Sequence, residues 1–136
     1  MKKLFLLLVL GFFTLNLFSQ TSITVETKKF CIYQIEQQEF TDCNITEEPS
    51  IFVFNKQETL FTHTTPTIKS TYYVRETDHD DSNNGIFMYN VVSDVGNEYI
   101  FIFDLKERVI VALYMNDYKE GDINTLSVIW QIKAVF

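Results

Sequence analysis

Few residue types in this chain are suited to chemistry. They are two histidines, His63 and His79, two cysteines, Cys31 and Cys43, and 18 acidic side chains. A catalytic zinc site takes about three protein ligands, often histidine with a carboxylate, and no His-x-x-x-His spacing occurs. Nucleophilic catalysis finds no Gly-x-Ser-x-Gly elbow, and the two thiols are expected to be consumed by each other. His63 stands beside Thr62, Thr64 and Thr65 and reads as a hydrogen-bonded residue at a strand end. Neither histidine is expected to be catalytic.

The run Asp78-His79-Asp80-Asp81-Ser82-Asn83-Asn84-Gly85 has the acid density of a calcium loop. An EF-hand needs Gly at its sixth position and a bidentate Glu at its twelfth, and here those hold Asn83 and Tyr89. An acidic, solvated hairpin loop is expected instead. Glycoside hydrolysis needs paired carboxylates, and nothing singles out Glu98 or Asp104. Asp104 reads as the first residue of a turn, a position that favours Asp. No catalytic residue, metal or cofactor is expected.

The cysteines have a more definite use. If Gln37 centres a hairpin turn, Cys31 lies directly across the ladder from Cys43. Opposed residues in an antiparallel pair have Cα atoms about 4.5–5.5 Å apart, within bridging range. A disulfide between Cys31 and Cys43 is therefore expected, and an oxidising compartment is where a disulfide can persist.

Residues 1–19 agree with that compartment. Lys2 and Lys3 precede the uncharged run Leu4 to Phe13, and Ser19 offers a small residue at the exit. This is the pattern of a secretory signal peptide cut after Ser19, too short for a lasting membrane span. Its brevity and double-lysine start point to a bacterial secreted or periplasmic protein. On that reading Asn44-Ile45-Thr46 matches the N-glycosylation pattern by chance. Residues 20–136 are expected to form one small domain.

The leader holds two of the 11 basic residues and none of the 18 acidic ones, so the remainder carries a net charge of −9. Nucleic acids and anionic membranes both demand positive surface, so neither fits as a partner. Nine of the 13 Phe lie after Ser19, together with the seven Tyr and Trp130. With β-branched residues plentiful and only 4 Gly and 2 Pro, the bias is toward strands.

Strand-length apolar runs separated by polar turns recur along the chain. They are Ile23–Ile35, Ile51–Phe54, Thr59–His63, Ile68–Arg75, Ile86–Ser93, Tyr99–Leu105, Val109–Met115 and Leu126–Phe136. Glu47 to Ser50, carrying Pro49, reads as a break. The expected fold is all-β: an antiparallel meander of about eight strands, closed as a small barrel or folded as a two-layer sandwich.

The hairpin from Tyr99 to Met115 is apolar on both faces, across the tight Lys106-Glu107-Arg108 turn. Such a strand is covered twice, or exposes a binding patch. Ile100, Ile102, Ile110, Ala112 and Tyr114 are the candidate interaction surface.

These readings converge on an exported binding module without a catalytic constellation. Its partner would be a protein or a small apolar ligand. The alternative is a small secreted hydrolase with a carboxylate or histidine site on its loops. The identity of the ligand and the oligomeric state are not encoded in any local pattern.

Overall fold

A computed structural model describes residues 20–116 and 118–136. The leader expected over residues 1–19 lies outside the described residues. Eight antiparallel strands follow one another around a closed barrel. They are β1 (Thr21–Gln34), β2 (Glu39–Phe54), β3 (Leu60–Thr64), β4 (Lys69–Asp78), β5 (Ile86–Ser93), β6 (Glu98–Asp104), β7 (Val109–Tyr114) and β8 (Asn124–Val135). The barrel alternative is the one realised.

Each strand alternates inward and outward side chains, and the inward set is aromatic. Phe52, Phe61, Phe101, Phe103 and Ile110 are fully buried, with Phe54, Tyr89 and Trp130 nearly so. Phe61 packs edge-on against Phe101 at 5.0 Å and Phe103 at 5.5 Å, and Phe52 packs edge-on against Trp130 at 5.1 Å. An eight-stranded barrel is just wide enough for its own side chains, and these rings fill it. The barrel's middle is therefore a core.

Turn residues set the registers. The β1–β2 connection uses four residues, Ile35 to Gln38, with Gln38 in the left-handed region at φ 52°. An even loop pairs Ile32 with Thr41 and Tyr33 with Phe40, one residue off the register expected from a turn centred on Gln37. A bulge at Asp42, also left-handed at φ 54°, restores the expected register by Phe30 and Asn44. Cys31 and Cys43 then meet with Cα atoms 4.2 Å apart, and the disulfide is formed.

Glu47 to Ser50 is not a break. β2 runs through it, absorbing the extra residues in a second irregularity opposite Val25 and Thr27. Pro49 is tolerated because, among the described residues, the strand has no neighbour on its other side there.

Candidate functional site

Strand lengths differ around the barrel, and the difference builds a site. β1 runs from one end, where Thr21 pairs with Phe54, toward the other, where Gln34 pairs with both Glu39 and Asn124. β7 stops at Tyr114, and β3 stops at Thr64. The end of β1, the start of β8 and the first half of β2 therefore project past the rim as a three-stranded lip. The disulfide staples this lip, with Cys31 buried, and Ser127 Oγ donates to the Cys31 carbonyl at 2.9 Å.

The inner face of the lip continues the barrel interior without the rings that fill it. Trp130 pairs with Lys28, Val128 with Phe30 and Leu126 with Ile32, so these side chains share one face. Between them and the rim lies a cavity of about 450 Å³ lined by Phe30, Cys31, Ile32, Tyr99, Ala112, Tyr114, Leu126, Ser127 and Val128, together with the polar Asp42 and Asn44. Binding cavities for small molecules span about 300–1,000 Å³ and are mostly apolar with a few polar groups. At the opposite end the interior holds a smaller hollow of about 170 Å³ beside Phe54 and Tyr89, and a more polar cavity of about 430 Å³ lies along Arg75, Glu76, Asn90 and Glu98.

Tyr99 and Tyr114 line the cavity, and a polar seam lies outside its lining. Tyr99 packs edge-on against Tyr72 at 5.8 Å and Tyr114 at 5.6 Å. Burial pushes the Tyr72 hydroxyl up to about 12, and raises Tyr99 as well, so both stay protonated donors. Beneath the lip, the Lys28 ammonium pairs with Glu48 at 3.2 Å and lies 4.8 Å from the Phe30 ring centre. His63 stacks on Phe52 at 4.1 Å and shares a hydrogen bond of 2.8 Å between its Nε2 and Ser50 Oγ.

That seam makes a pH prediction. Burial holds the His63 pKa at about 4, with the Lys28 charge acting the same way and Glu48 opposing. The folded state thus binds fewer protons than the unfolded chain below the ordinary value of 6.5, and stability falls as pH falls toward 4. Between pH 7 and pH 5 the His63 contribution amounts to about 2 kcal/mol. Urea unfolding at both pH values should show that loss in the wild type and its absence in His63→Gln; equal slopes would contradict it.

The residues expected to matter fall as follows. His63 bonds to a serine within the core, and the pair lines neither the mouth cavity nor the hollow at the far end. His79 packs edge-on against Phe87 and Tyr89 at the far end. Asp78 accepts from the Asp80 amide, and Gly85 at φ 77° closes a short 3-10 turn, Ser82–Asn84. Among the described residues no group of three His, Cys, Asp or Glu converges to hold a metal ion. Asp104 accepts from the Glu107 amide at 2.9 Å, as the first residue of its turn.

The five candidate surface residues do not share a face. The β6–β7 turn is four residues, Leu105 to Arg108, with Arg108 at φ 59°. The even loop sets Phe101 against Ala112 and Phe103 against Ile110, while Ile100 faces Leu113 and Ile102 faces Val111. Ile110 and Ala112 are therefore buried in the core and Tyr114 turns to the mouth cavity. Ile100 and Ile102 point outward, in an apolar row with Leu113, Val111, Met88 and Ile129. The mouth cavity was missed because it arises from unequal strand lengths, which no local pattern announces.

Compared with known protein families, curated proteins and solved structures, the chain matches nothing in any of the three.

Proposed function

We propose that this protein is an exported, non-catalytic binding module whose mouth cavity takes a small apolar ligand, uncharged or cationic. The observation that carries the reading is the contrast between the two ends of one barrel. Aromatic rings fill the middle and far end, yet an apolar volume of about 450 Å³ stands open under the lip. Phe30 and Leu126 stay 48% and 63% exposed at its rim, an arrangement costly in water unless something covers it. The Asp42 carboxylate at the edge and the net charge of −9 on residues 20–136 disfavour an anionic ligand. The bonded cysteines suit a periplasmic or extracellular setting.

A neutral naphthylamine fluorophore tests this. Its emission should rise on mixing with the oxidised protein and saturate at one site. Two variants should weaken binding by about tenfold or more, Ala112→Phe by filling the cavity and Leu126→Glu by charging its rim. Leu126 is exposed, so its variant keeps the fold, and unchanged affinity in that variant would refute the site.

A further inference from the structure

The lip carries a second feature, independent of whether the cavity is occupied. β2 pairs with β1 along nearly its whole length, but with β3 only over Ile51–Phe54. From Glu39 to Ser50 its other edge has no strand beside it among the described residues. The missing neighbour would continue the line of β3. That strand ends at Thr64 because the chain turns away there: Thr65 Oγ1 accepts from the Thr67 and Ile68 amides, and Pro66 interrupts the ladder. A bare edge is a template for a further strand, and natural sheets blunt or cover such edges. Here the blunting stops short. The irregularities at Asp42 and at Glu48-Pro49 leave the four residues Asn44 to Glu47 regularly paired with β1 and open on the other side.

We propose that this edge of β2 receives an extended, basic segment of a partner protein by strand addition. The side chains specify the partner. Ile45 points to the outer face opposite Lys29 and is 68% exposed, so the residue beside it would be apolar. Glu47 shares that face and Asp42 flanks the open stretch, as does Glu48, whose charge Lys28 already pairs, and β2 holds no basic residue. Opposite charges across a ladder stabilise it and like charges oppose it. Lysine or arginine two residues from the apolar position would meet Glu47. A second copy of this chain fits poorly. Antiparallel pairing about Ile45 would set Asp42 of each copy against Glu48 of the other. The disulfide holds the template strand to β1 before the partner arrives, which lowers the ordering cost of association.

The probe is an end-capped octapeptide, Thr-Val-Thr-Lys-Thr-Val-Thr-Lys, which sets valine and lysine two residues apart on one face, added to the oxidised full chain and followed by amide exchange and calorimetry. Binding in the micromolar range with new protection confined to Asn44–Glu47 is expected. Glu47→Lys should weaken it by about tenfold or more, and Glu47→Gln less. N-methylation of the peptide backbone should abolish it. Equal binding of the N-methylated peptide, or of a peptide with glutamate in place of lysine, would overturn the proposal. So would a dimer of the free protein with these amides already protected. The fluorophore titration reads the mouth cavity separately, so failure of one leaves the other standing.

Discussion

Phe101→Ala is expected to cost about 3–5 kcal/mol of folding stability, the range for truncating a fully buried aromatic ring. The side chain is wholly buried and meets Phe61 at 5.0 Å, Tyr72 at 4.9 Å and Trp130 at 6.0 Å. A closed ladder cannot collapse onto the void without breaking its own hydrogen bonds, which favours the upper part of that range. For a chain of this size the loss should lower Tm by about 15 °C. Ile45→Ala, on the exposed edge, should change stability by no more than about 0.5 kcal/mol. Chemical denaturation of both variants checks the contrast, and similar losses would mean the rings are not the core.

Removing the disulfide by Cys31→Ala with Cys43→Ala is the second large effect. Its bond closes a loop with a sequence separation of 12, and freeing such a loop in the unfolded chain costs about 3 kcal/mol. Where the loss shows is as informative as its size. The lip is held by β1 pairing and the staple, with an open edge beyond it, whereas Phe52, Phe61 and Phe101 lie within the closed ladder. Amide exchange should therefore accelerate most over residues 27–47 and least around the buried rings. Ligand affinity at the mouth should fall in step, because Phe30 and Ile32 ride on the loosened segment. Uniform acceleration across all eight strands would contradict a separately stapled lip.

The architecture is written in alternation that any strand reader can follow. Trp130, Val128 and Ile132 share a stripe in the sequence and share the interior in the structure. Register is where the sequence misleads. Both four-residue turns end in a residue at positive φ that is neither Gly nor Asn, Gln38 in one and Arg108 in the other. With nothing to flag the extra left-handed residue, a shorter, odd-numbered turn is the natural reading, and it flips one strand's faces relative to the other. In the first hairpin the Asp42 bulge cancels the slip before it reaches the cysteines, so their pairing is predictable anyway. In the β6–β7 hairpin nothing cancels it, and Ile110 and Ala112 go inside while Ile100 and Ile102 stay out. The lip is illegible for a different reason: it depends on where β3 and β7 stop relative to β1, β2 and β8.

The most direct measurement is a set of backbone and methyl NMR shifts recorded as the neutral naphthylamine is titrated into the oxidised protein. Shifts confined to Phe30, Ile32, Tyr99, Ala112, Tyr114, Leu126 and Val128, with Phe54 and Tyr89 still, are what a barrel open at one end predicts. Perturbation centred on Phe54 and Tyr89, or on the outer row of Ile100, Ile102 and Val111, would contradict it.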